Sequence, residues 1–255
     1  MLSYALLTVL AVAGASLASV VRTPPPPGEK HASNRVIPDD ELFSTQVSLQ
    51  YRRHHTCGAS ILNSEWVMTG AQCVGSFSMS DLSILAGSDR LDIGGSVHQL
   101  KRVIMHPDFS FLTARNDIAV LQVSPPLSID ETRRVIKLPG RGQLIATNST
   151  ATFVGWGQSM VGDKMKKISV SVMDQEQCVK VYSEFFYRVS DSQVCINIPE
   201  GRKDKCYGDA GHPLFVDDVV VGLASWSDGC PVSGTPSVFT RVSSYRSWIK
   251  EQTGV

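Results

Sequence analysis

Asp204-Lys205-Cys206-Tyr207-Gly208-Asp209-Ala210-Gly211-His212-Pro213-Leu214 is the stretch on which the reading of this chain turns. Glycines and a proline crowd it, so its backbone is a tight turn rather than regular structure. The residue at its centre, Ala210, carries a methyl group with no oxygen to donate electrons. His212 puts a large side chain where that backbone is tight, which predicts either a distorted turn or a filled cleft.

Outward from this loop the chain is a series of short apolar runs separated by turn residues. Val219–Trp226 and Val238–Val242 follow it. Ahead of it lie Gln46–Leu49, Ala59–Leu62, Trp66–Thr69, Leu82–Ala86, Val97–Ile104, Ile118–Val123, Thr152–Trp156 and Lys167–Met173. Many short strands with Gly, Pro and Ser between them argue for an all-β barrel or sandwich. Asp174, with Gln177 three residues on, reads as the N-cap of a helix over Cys178 and Val181-Tyr182. Tyr245, Trp248 and Ile249 have the spacing of a C-terminal helix with one apolar face.

Apolar residues make up 42% and charged residues 19% of the 255, an ordinary globular composition. Lys+Arg and Asp+Glu both total 24, so no global field favours nucleic acid or a membrane surface. Leu2–Ala18 is an apolar run closing on small residues, and residues 1–18 read as a signal peptide. Residues 19–35, with prolines at 24–27, read as a flexible pro-segment, and the folded domain is expected over residues 36–255. Six cysteines suit an oxidising compartment and allow roughly 15 pairings. Asn148-Ser149-Thr150 is a glycosylation sequon of a secreted protein's surface loop. No motif calls for a cofactor or a metal.

Several signatures recur in a fixed order. They are Arg35-Val36-Ile37, Cys57-Gly58-Ala59-Ser60, Thr69-Gly70-Ala71-Gln72-Cys73, Asn116-Asp117-Ile118-Ala119, Gly155-Trp156-Gly157, the Ala210 loop, Ser225-Trp226 and Thr240-Arg241-Val242. From Arg35 to the C-terminus the chain resembles the trypsin/chymotrypsin family of serine proteases. The resemblance implies two six-stranded antiparallel β-barrels with a cleft between them and a C-terminal helix. It also implies the bridges Cys57–Cys73, Cys178–Cys195 and Cys206–Cys230, and an activation site at Arg35-Val36. There Pro38 and Asp39 replace the family's glycines, which puts the usual insertion of Val36 in doubt.

The family's chemistry needs an attacking serine, a histidine that carries its proton and an aspartate that orients the histidine. The resemblance places these roles at Ala210, Gln72 and Asp117. An amide does not titrate near neutral pH and a methyl group does not attack, so the aspartate alone is kept. The oxyanion-hole backbone would be Gly208 and Ala210. Asp204 matches the aspartate by which trypsins accept Lys or Arg, while Ser227 and Ser237 stand for wall glycines and narrow that slot. His54 and His55 fall in an expected surface hairpin, and Ser225 and Ser227 carry no signal of a displaced nucleophile.

These residues lead to the expectation of a secreted pseudoprotease, a catalytically inactive homologue and not an enzyme. It would act by binding a protein, such as a protease-cascade, complement or inhibitor component, in defence, host interaction or cascade regulation. The alternative is a serine endopeptidase of trypsin-like specificity with weak or non-standard activity. A polyanion-binding role is disfavoured by the formal net charge of zero.

Overall fold

The computed structural model describes residues 39–156, 164–183, 188–197, 210–227 and 235–255. The expected signal peptide, pro-segment and Cys206–Cys230 bridge, with Arg35-Val36, Asp204 and Gly208, lie outside the described residues.

Strand after strand carries apolar residues on both of its faces, because one face fills a barrel and the other meets a neighbour. In β3 (Trp66–Thr69), Val67 enters the core of the first barrel. Trp66 and Met68, one residue either side, enter a second core shared with the other barrel. β6 (Ala119–Ser124) repeats the alternation, with Ala119, Leu121 and Val123 inside the barrel and Val120 outside it. With β1 (Gln46–Tyr51), β2 (His54–Ile61), β4 (Leu82–Ala86) and β5 (Ser96–Met105), they close as β1-β2-β3-β6-β5-β4.

The second barrel is built from β7 (Thr150–Gly155), β8 (Lys166–Val172), β9 (Gln193–Asn197), β10 (Pro213–Val216), β11 (Val219–Trp226) and β12 (Ser237–Arg241). It closes as β10-β11-β12-β9-β8-β7, again antiparallel throughout. Its interior holds Val170, Val172, Val194, Ile196, Leu214, Val221 and Phe239. Between the barrels, Met68, Ile118 and Val120 meet Val154, Trp156, Phe215 and Leu223. The all-β fold of two closed six-stranded barrels is therefore what the chain adopts.

Two strands, β9 and β10, fall outside the runs that the sequence marks. In β9 the first four residues are all buried, Gln193 among them, so no polar face marks it. β10 is four residues long and opens on Pro213, tolerated because a first strand residue can do without an N–H donor.

The anticipated helices form. Asp174 Oδ1 accepts from the Gln177 amide at 3.0 Å and caps α2 (Gln175–Ser183), after the short α1 (Asp39–Phe43) that precedes β1. In α3 (Arg246–Thr253) Ile249 is buried in the shared core, with Tyr245 just ahead of the helix, and Gly254 at φ 79° ends it. Disulfides join Cys57 to Cys73 and Cys178 to Cys195. No described helix is long and apolar enough to cross a membrane.

Candidate active site

Asp117 sits where the chain turns from Asn116, at φ 54°, into β6, and it is 1% exposed. A buried carboxylate needs donors, and Gln72 and Ser225 supply three. The Gln72 amide N–H gives to Oδ1 at 2.9 Å, while Gln72 Nε2 and Ser225 Oγ both give to Oδ2 at 2.6 Å. Burial pushes the Asp117 carboxyl above its ordinary range, against the pull of the Ser225 and Gln72 hydrogen bonds.

Gln72 lies in a one-turn 3-10 segment, Ala71–Cys73, tied to β2 by the Cys57–Cys73 bridge. Its Nε2 also donates to Ser225 O at 2.7 Å, so one side-chain amide spans from the first barrel to β11 of the second. A Cβ on Gly70 would come within 3.2 Å of Asp117 Oδ1, so the backbone fits closely around the carboxylate.

Ala210 precedes β10. Its carbonyl accepts from the Gly58 amide at 2.9 Å, and it packs against the core of the first barrel. Gly211, at φ 79°, has room for nothing larger, since a Cβ there would lie 2.3 Å from Thr69 Oγ1.

His212 is turned into the protein interior. It is fully buried in the seam between the barrels, its ring 5.4 Å from that of Trp156, 5.8 Å from His55 and 6.3 Å from Phe153. The space exists because residue 58 is glycine: a Cβ there would lie 2.2 Å from His212 Nδ1. The expected surface hairpin at His54 and His55 forms, with Tyr51 paired to His54 across the exposed Arg52-Arg53 turn. His54 is exposed, but His55 is partly buried within β2 and shares a 2.8 Å hydrogen bond with Ser48 Oγ. Period-2 alternation turns the neighbouring residue inward.

The structure thus brings Gln72, Asp117 and Ser225 into one network. Sequence reasoning passed over Ser225, since serine is common and the contact joins residues far apart in the chain. Ser237 begins β12 and pairs with Ile196. Ser227 is exposed beside Trp226, on the rim of an open pocket. Among the described residues no group of three His, Cys, Asp or Glu stands together to hold a metal ion.

The trypsin family model matches residues 38–249. A trypsin from Phaedon cochleariae is 34% identical, over 84% of this chain and 84% of its own length. Trypsin 5G1 from Aedes aegypti is 34% identical over 88% and 87%, and Trypsin Blo t 3 from Blomia tropicalis is 36% identical over 80% and 79%.

These relatives correct one expectation. Gln72 and Ala210 led to the reading that the chain is not an enzyme, an inactive pseudoprotease. Relatives spanning most of its length are named as trypsins, which are enzymes. Two residue identities tell which groups stand at two positions; they do not show that turnover is nil. The family match over most of the chain and the shared barrel architecture together place this protein in the trypsin family.

Proposed function

We propose that the chain is a serine endopeptidase of trypsin-like specificity with weak, non-standard activity. The observation that carries this reading is the buried Asp117, held by three hydrogen bonds from Gln72 and Ser225 between the barrels. Turnover runs here without a hydroxyl at position 210 or an imidazole at position 72. The hydroxyl–carboxylate pair that remains in the network is Ser225 with Asp117. Substrate binding and backbone donors alone leave a rate roughly 10³–10⁴ over water, which sets the scale for "weak". By the likeness to trypsins, Asp204, outside the described residues, is the group that would meet a Lys or Arg side chain, with Ser227 and Ser237 in place of wall glycines narrowing the slot.

A second reading has its own support. Both N–H bonds of the Gln72 amide are spent on Asp117 and Ser225 O, and Ala210 offers a methyl group, so the cleft floor suits a polypeptide held longer than it is cut. A protease-cascade, complement or inhibitor component is a partner of that kind, in defence or host interaction. Secretion accords with the apolar run at residues 2–18 and with Asn148, which is exposed in a turn at φ 64°, open to a glycan.

Incubation of the purified chain with arginyl chromogenic peptides decides the first reading. Slow, saturable release that is lost on unfolding and lowered by Asp117→Ala is expected. Release no faster than that of heat-unfolded protein sinks it.

A further inference from the structure

Beside the Asp117 network, Trp226 and Ser227 form one wall of an open pocket of about 480 Å³. Phe111, Leu112, Arg115 and Arg188 line the rest of it with Thr113 and Ala114. Phe111 is 61% and Leu112 93% exposed, an unusual degree for large apolar side chains set side by side. Phe111 is not loosely held. It stacks edge-on against Phe109 at 4.7 Å and closes over Gly75, whose added Cβ would lie 2.5 Å from its ring.

Arg115 and Arg188 are both exposed, and neither has an acidic partner among the described residues. Some surface cations elsewhere are paired, Arg52 with Asp81, Arg90 with Asp92, Arg133 with Asp130 and Lys164 with Asp89, while others such as Arg53 and Lys101 are not, among the described residues. Two cations beside an exposed apolar edge and an indole define a ligand with both characters.

We infer that this pocket selects an extended polypeptide segment that carries acidic side chains next to a large apolar one. The apolar residue lies against Phe111, Leu112 and Trp226, and the carboxylates meet Arg115 and Arg188. Guanidinium groups favour carboxylates because their forked donors match both oxygens. Two cations among large apolar side chains suit a peptide better than a polyanionic chain, which needs a row of charges. The inference rests on the cleft being a polypeptide site and adds the class of polypeptide it takes.

The test is fluorescence anisotropy of the full chain at low ionic strength with two dye-labelled peptides, Phe-Glu-Leu-Glu and the uncharged Phe-Gln-Leu-Gln. The acidic peptide is expected to bind more tightly. Arg115→Glu and Arg188→Glu each narrow that preference by up to about fivefold, as exposed ion pairs do, and the double variant reverses it. Leu112→Ser weakens both peptides alike. Binding of neither peptide, equal affinities, or a preference unchanged in the double variant overturns the inference. Binding is read without turnover, so the two ideas fail separately. Acid preference without cleavage sinks only the proposed activity, and cleavage without preference sinks only this selectivity.

Discussion

Gln72 Nε2 donates to Asp117 Oδ2 at 2.6 Å and to Ser225 O at 2.7 Å, so one amide bridges the barrels over a buried carboxylate. Gln72→Ala removes both bonds and leaves Asp117 with the backbone donor and Ser225. A hydrogen bond to a charged group contributes about 1.5–3 kcal/mol, so a loss of about 2 kcal/mol is expected in urea unfolding. A variant that unfolds at the wild-type midpoint shows that the bridge contributes nothing.

The Asp117 carboxyl has a second measurable consequence. Its folded-state pKa lies above the ordinary 3.8, chiefly through burial, so above pH 3.8 the folded chain holds a proton that the unfolded chain has released. Its contribution to stability is therefore greatest below 3.8 and is lost as pH rises through the folded value. Asp117→Asn removes the titration. The stability difference, wild type minus variant, is expected to fall as pH climbs from 3.8, and a difference flat with pH refutes it.

His106 titrates in the opposite sense. Its ring stands 5.3 Å from both Tyr245 and Trp248, and burial holds its pKa below the usual 6.5, partly offset by Asp108. The unfolded chain binds the proton more readily, so stability from this site is present above pH 6.5 and lost as pH falls through the folded value. A proton-NMR titration of the His106 ring is expected to give a midpoint under 6.5; a midpoint at or above it contradicts this.

Gly58 and His212 occupy one space. Gly58→Ala sets a Cβ 2.2 Å from the His212 ring, and overpacking of this kind costs about 1–3 kcal/mol or more. His212→Ala alone leaves a void in the seam, but combined with Gly58→Ala it is expected to recover part of the loss. A double-mutant cycle should show coupling of about 1–3 kcal/mol. Additive effects would show that the two do not compete.

The bridge between Cys178 and Cys195 closes a loop with a sequence separation of 17. On the chain-entropy model it stabilises the fold by about 3 kcal/mol. Replacing both cysteines by serine is expected to lower the unfolding free energy by that order. A change below about 0.5 kcal/mol counts against the model.

The sequence alone determined the all-β class, most of the strands, the cap at Asp174 and the identities of the groups at positions 72, 117 and 210. These are local facts: alternation, turn residues and side-chain chemistry are written within a few neighbours of each position. It was silent on the short β9 and β10, and where a contact spans the chain, as between Ser225 and Asp117. Only the tertiary structure put His212 into the seam against Gly58 and set Phe111, Leu112, Arg115 and Arg188 around one pocket. Barrel closure brings distant residues together, and whether a side chain ends buried or exposed depends on which neighbours arrive, not on its own identity.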